Sequence, residues 1–263
     1  MRKQFLLLLL LSIPLPTLAA SPPCDSLPVD SSLPDAMRAE QLGNRALSCL
    51  KQDKPLQSIA LFSELIGVVP NNAQAYLNRG NLFVRMGQLD TGLEDYTRVI
   101  ELEPTHFEGW YNRGSTRVAA GKYDEAISDL TEAIKMKPDL ARAYCNRGLS
   151  FLRKDEPKEA LADFEKGLSL QADMPLCYSG KGEIELSVGE YREAIDDLTR
   201  GINFKPTAEA LAQRATAYER LSEDDKTLSD FRDALSLRPR LKEAQAGVKR
   251  LSQRDSKKQE PGQ

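Results

Sequence analysis

The chain has 263 residues, with 36 Lys+Arg against 39 Asp+Glu and a formal net charge of −3. The two signs are interleaved along almost the whole length, so no basic stripe exists to neutralise a phosphate backbone, and a nucleic-acid partner is excluded. One histidine, four cysteines and no HExxH, CxxC, phosphate-loop or nucleophile-elbow pattern leave little for chemistry, so neither an enzyme, a metal site nor a cofactor is expected.

Met1, Arg2 and Lys3 form a short cationic start, residues 5–13 are almost unbroken apolar, and Thr17, Leu18, Ala19 and Ala20 supply small residues for cleavage. This pattern predicts a secretory signal peptide over 1–20, removed near Ala20. Pro14 and Pro16 cut the apolar run short, well below the roughly 20 residues a spanning helix needs, so stable membrane insertion of the mature chain is not expected. Loss of Arg2 and Lys3 with the leader takes the balance to about −5. Cys24 follows Ser21, Pro22 and Pro23, not the small-residue box of a lipoprotein. Residues 21–38, rich in Pro and Ser, read as an extended arm.

From residue 39 one motif is written six times. Ala75-Tyr76-Leu77-Asn78-Arg79-Gly80, Gly109-Trp110-Tyr111-Asn112-Arg113-Gly114 and Ala143-Tyr144-Cys145-Asn146-Arg147-Gly148 recur at intervals of 34, with weaker copies at Leu42, Cys177 and Leu211. Trp110, Gly114, Arg117 and Val118 lie at i, i+4, i+7 and i+8, and Ala126, Ile127, Leu130 and Ile134 resume the helical period after the break at Gly121-Lys122. Each unit is therefore a helical hairpin. Gly80, Gly114, Gly148 and Gly182 allow the two helices to approach closely, and Pro70, Pro104, Pro138, Pro206 and Pro239 stop the second helix. Where the turn glycine is missing, Pro55 and Pro157 fall in the first turn of the second helix, where a lost donor costs nothing. One hairpin cannot bury its apolar face alone, so neighbours must stack.

This spacing resembles the tetratricopeptide repeat, carried in the third unit by Trp110, Gly114, Ala126, Leu130 and Pro138 and in the second by Tyr76, Gly80, Gly92, Tyr96 and Pro104. The units are 39–72, 73–106, 107–140, 141–174, 175–207 and 208–241. The fourth lacks its closing proline, and the sixth has lost its leading aromatic and both glycines. Residues 242–252 read as a capping helix and 253–263 as a disordered tail, with Lys249, Arg250, Arg254, Lys257 and Lys258 as a modest basic end. The expected fold is all-α, a right-handed α-α superhelical solenoid of six hairpins plus a cap.

An Arg or Lys in each first helix from the second unit on is followed sixteen residues later by Asp: Arg79 and Asp95, Arg113 and Asp129, Arg147 and Asp163, Lys181 and Asp197, Arg214 and Asp230. These read as charge pairs clamping the two helices of a hairpin. The stripe Tyr76, Trp110, Tyr144 and Tyr178 reads as packing core, and His106, in a turn between units, as a surface residue. Four cysteines in an exported chain point to oxidation. In a linear stack Cys49 is too far from Cys145 and Cys177 to be bridged, leaving structural disulfides Cys24–Cys49 and Cys145–Cys177.

By the same resemblance, the first helices line a concave groove that receives a polypeptide. Carried over position by position, the partner-binding lining is Leu77, Asn81, Tyr111, Asn112, Ser115, Arg142, Cys145, Leu149 and Leu152. Asn81, Asn112 and Arg142 match three places of a carboxylate clamp, but Leu77 and Asn146 stand where that clamp needs cations. The expected guest is a helix or extended segment with apolar anchors. The chain thus reads as a periplasmic or secreted scaffold or adaptor for a protein or peptide, with homo-oligomerisation left open. The rival readings are a glycan or cell-wall-polymer binder using Tyr111 and a chaperone-like accessory subunit.

Overall fold

A computed structural model describes Cys24 and residues 29–259, with side chains to Arg254. The signal peptide assigned to 1–20, residues 21–23 and 25–28 of the arm and the last four residues lie outside the described residues. Among the described residues there are thirteen helices and no strand: α1 (Asp35–Lys51), α2 (Pro55–Val68), α3 (Ala73–Arg85), α4 (Leu89–Leu102), α5 (Phe107–Ala119), α6 (Tyr123–Met136), α7 (Ala141–Arg153), α8 (Pro157–Leu170), α9 (Pro175–Val188), α10 (Tyr191–Phe204), α11 (Ala208–Arg220), α12 (Asp224–Leu237) and α13 (Lys242–Gln259). The chain forms two compact units, residues 1–79 and 80–263.

In the first unit α1 packs against α2. Leu42, Ala46, Cys49, Phe62 and Leu65 are buried, and the Ser58 hydroxyl donates to the Ala46 carbonyl at 2.8 Å. Cys24 is bonded to Cys49 with the Cα atoms 4.7 Å apart, so the arm is stapled to α1. The helix starts at Asp35, inside the stretch read as arm. Pro34 stands at its N-cap, and Asp35 in the first turn complements the positive end of the helix dipole.

In the second unit each helix from α4 to α12 packs against its successor in the chain, and α5–α7, α7–α9, α9–α11 and α11–α13 also touch. First helices therefore adjoin first helices, whereas the second helices α4, α6, α8, α10 and α12 form no comparable contacts among the described residues. This asymmetry makes the first-helix face the inner one. Helices end where proline dictates: α4, α6, α10 and α12 each stop two residues before Pro104, Pro138, Pro206 or Pro239, with the intervening residue extended because the proline ring forbids it a helical backbone. Pro55 and Pro157 stand at the first positions of α2 and α8. Every hairpin turn carries one residue with positive φ: Gly87, Gly121 and Gly189 in three, Asp53, Asp155 and Ser222 in the others.

Close approach is enforced at Gly114, where a Cβ would sit 2.8 Å from Leu130 Cγ and 3.1 Å from Asp129 Cβ. That proximity brings Arg113 to Asp129, with Nε donating to Oδ2 at 2.9 Å and Nη2 to Oδ1 at 2.8 Å. Arg147 grips Asp163 and Arg214 grips Asp230 in the same forked way, and Lys181 reaches Asp197 at 2.7 Å. Of the remaining predicted pair, Arg79 donates to Ser63 Oγ at 3.0 Å in the first unit, and Asp95 is buried in the second. Each forked arginine has a further partner in the preceding hairpin: Arg113 donates to Thr97, Arg147 to Thr131 and Arg214 to Thr199. The clamp thus joins repeats as well as helices. The aromatic stripe supports it. Arg113 lies over Trp110 at 5.1 Å and Arg147 over Tyr144 at 5.6 Å, while Trp110 Nε1 and Tyr144 OH donate to the carbonyls of Pro104 and Pro138.

Cys145 and Cys177 form the second disulfide, between α7 and α9, with Cα atoms 5.2 Å apart. Gly167 of α8 makes room for it, since a Cβ there would meet the two sulfurs at 2.8 and 3.0 Å. The cap α13 runs past 252 through Gln259, into the segment read as a disordered tail. Its extension is anchored by charge: Arg250 and Arg254 both reach Glu219, at 2.7 and 3.3 Å, and Arg254 reaches Asp224 at 3.7 Å.

Candidate functional site: the first-helix face of the second unit

Side chains on the face made by α5, α7, α9 and α11 bridge successive first helices in a polar ladder. Asn81 Oδ1 accepts from Tyr96 OH at 2.7 Å and from Asn112 Nδ2 at 3.0 Å. Asn146 Nδ2 donates to Ser115 Oγ at 2.8 Å. Further along, Arg153 donates to both Glu183 oxygens, at 2.7 and 3.2 Å, and Gln213 Nε2 to Glu183 Oε2 at 3.3 Å. The Glu183 carboxylate holds the Arg153 guanidinium above its ordinary pKa against the opposing effect of burial.

Of the residues expected to line a groove, Tyr111 and Arg142 border a hollow of about 320 Å³ together with Asn146, Met174 and Leu176. Arg142 is exposed, and Leu149 borders a second hollow. Asn81, Asn112 and Ser115 are in the ladder and remain reachable. Two assignments need correction. Leu77 is 5% exposed and Cys145 is wholly buried, its sulfur spent on Cys177, so neither offers a surface to a partner. Leu152 turns its side chain toward the buried cluster of Cys145, Phe164 and Cys177, and is only partly accessible.

The fifth and sixth hairpins supply lining residues that the sequence reading did not carry over. Leu176, Ser179, Glu183 and Gln213 occupy the same places on α9 and α11 as the residues named on α5 and α7, and the 34-residue spacing from Arg142 to Leu176 or Leu149 to Glu183 would have found them. With Leu149, Pro175 and Gly180 they enclose a hollow of about 460 Å³ with an apolar floor. A hollow of similar volume, about 490 Å³, lies between α4 and α6, but Asp90, Glu94, Arg98, Glu101, Lys122 and Glu125 border it, so it lacks such a floor.

Two other groups depart from their repeat counterparts. Glu185 of α9 faces Asp197 and Lys181, which lies 3.8 Å away, at a helix position held by Arg117 in α5. Burial first, then the Asp197 charge, push its carboxyl up to about 7, with Lys181 opposing. His106 is held in its turn by Glu103 at 2.7 Å and Glu108 at 2.6 Å. Burial disfavours the charged ring, but the two glutamates outweigh it and raise the pKa. Its surroundings are thus more specific than those of a plain surface residue.

These features define the class: an all-α solenoid of stacked helical hairpins clamped by Arg–Asp pairs, a scaffold for protein interaction. Family profiles described as tetratricopeptide repeat match residues 73–106, 95–128 and 141–174, and one described as TPR repeat matches 114–155. Tetratricopeptide repeats are thus matched over residues 73–174, and proteins built from such repeats are in general non-catalytic scaffolds that bind proteins or peptides. No curated protein matches the sequence significantly.

Among solved structures, the chain is similar to that of pilF from Pseudomonas aeruginosa, at 20% identity over 81% of this chain and 97% of that one, with a TM-score of 0.69. It is also similar to PilW, a type IV pilus biogenesis factor, at 15% identity over 79% and 97%, with a TM-score of 0.68. YrrB, a TPR protein with an unusual peptide-binding site, aligns at 21% identity over 72% and 97%, with a TM-score of 0.52. At such identities these likenesses establish the fold.

Proposed function

We propose that the chain is an exported scaffold that holds a polypeptide against the inner face of its first helices, without a cofactor. The observation that carries this reading is the asymmetry of packing. First helices touch first helices while second helices do not, so the inner face gathers side chains from α5, α7, α9 and α11 onto one continuous surface. On that surface Asn81, Asn112, Arg142 and Tyr111 supply donors, acceptors and an aromatic face, a mixture suited to main chain plus anchoring side chains. The peptide-binding site of YrrB supports the reading by analogy of fold. Export is supported by the leader pattern in residues 1–20 and by two disulfides, which persist in oxidising compartments. Among the described residues no helix is long and apolar enough to cross a membrane.

Site-specific photo-cross-linking in the exporting cell tests both parts. A photoreactive residue at Tyr111 should give a discrete polypeptide adduct that the same residue at the exposed Lys135 of α6 does not. Identical adducts from both positions, or none from either, would overturn the groove assignment. Recovery of the chain from the cytosol with Met1 intact would overturn export.

A further inference from the structure

Along the inner face, the asparagines of α5 and α7 that build the ladder have no counterpart on α9. Asn112 and Asn146 recur at 34-residue spacing, and the next position is Gly180. A Cβ there would stand 2.2 Å from Phe164 Cζ, so packing excludes any larger residue, and the polar ladder is interrupted at that rung. The interruption opens the hollow of about 460 Å³ floored by Leu149, Pro175 and Leu176, with Ser179 at its wall. Leu176 keeps 37% of its surface exposed, an apolar side chain turned to solvent beside the rung where Gly180 stands in place of asparagine.

Charge around this hollow is unevenly spent. Arg153 is matched by Glu183, and Glu209 is matched by Arg238, the residue that follows α12. Lys205, between α10 and α11, is the remaining charged residue of the lining and has no ion pair among the described residues. An apolar floor therefore adjoins one uncommitted cation.

Resting on the groove reading above, we infer that this hollow is the specificity pocket of the scaffold: it takes one bulky apolar side chain of the guest polypeptide, with a carboxylate close to it in sequence that meets Lys205. The apolar anchor supplies binding through the surface it removes from water, while the ladder on α5 and α7 holds main chain without regard to sequence. The carboxylate selects among guests, because the exposed Lys205 ammonium attracts an acidic neighbour of the anchor and repels a basic one.

The test is selection from a random dodecapeptide display library on the full mature chain, followed by titration of the enriched peptides as fluorescein conjugates. Enriched sequences should share Leu, Met, Phe or Trp with Asp or Glu within a few positions. Ser179→Trp, which fills the hollow, and Leu149→Ala, which removes part of its floor without adding bulk, should each weaken these peptides about tenfold or more. Lys205→Glu should reverse the preference from acidic to basic neighbours while leaving the anchor requirement intact. Peptides that lack an anchor, or that bind Ser179→Trp, Leu149→Ala and Lys205→Glu like the parent yet are lost in Tyr111→Ala, would overturn the pocket and leave the groove standing. Failure to enrich any peptide, or binding that survives Tyr111→Ala and the pocket variants alike, would overturn both.

Discussion

Replacing Asp129 with alanine is the most informative perturbation of the fold. The residue is 1% exposed, and its carboxylate serves two arginines, Arg113 through a fork at 2.9 and 2.8 Å and Arg117 at 2.5 Å. Removing one member of a buried pair costs about 3 to 5 kcal/mol when the survivor is fully enclosed. Here the stranded side chains keep 13% and 23% of their surface, so water recovers part of that loss and the expected cost is about 2 to 4 kcal/mol. Among the described residues Asp163 pairs with Arg147 alone, so Asp163→Ala should cost less, about 2 kcal/mol. The chain contains one tryptophan, and Trp110 lies under Arg113 in the affected hairpin, so urea titration followed by its fluorescence reads the perturbed site directly. A cost for Asp129→Ala below about 0.5 kcal/mol, or equal to that of Asp163→Ala, would refute the view that the clamp is a desolvated charge pair whose worth grows with the cations it holds.

Glu185 should make stability fall with rising pH. Its carboxyl is raised from 4.5 to about 7, so between those values the folded chain keeps a proton that the unfolded chain has released, and the advantage is gone above about 7. Partial solvent access reduces the effect to about 1 kcal/mol. Glu185→Gln, which mimics the protonated form, should melt higher than the parent at pH 8 and lose the downward slope between pH 5 and 7; parallel melting curves for both proteins would remove the assignment. Asp155 holds a left-handed backbone at φ 62 where the third and fifth hairpins use glycine. Asp155→Gly should therefore stabilise by about 0.5 kcal/mol and Asp155→Val destabilise by about 1 to 2 kcal/mol, both read from denaturation midpoints; midpoints that do not separate in this order would show that the turn carries no strain.

Sequence by itself determined the repeat, the hairpin and its limits. The 34-residue period, the helical spacing of Trp110, Gly114 and Val118, and the prolines at 104, 138, 206 and 239 act through local backbone sterics and the angular position of side chains about a helix, which need no tertiary information. The Arg–Asp pairs were legible for the same reason, since equal spacing in a stacked array places equal residues face to face, and both disulfides followed once a linear stack put Cys49 out of reach of Cys145 and Cys177.

Tertiary structure decided which inner-face positions are open. Cys145 and Leu149 lie on one face of α7, one turn apart, yet the first is sealed by its bond to Cys177 and the second borders a hollow, because exposure depends on the neighbouring helix and not on helical phase. The threonine partners of the clamp, the gap left by Gly180 and the raised carboxyl of Glu185 have the same origin. Each arises where residues of different helices meet, and there the separation and burial of side chains, which set their interaction energies, are products of packing.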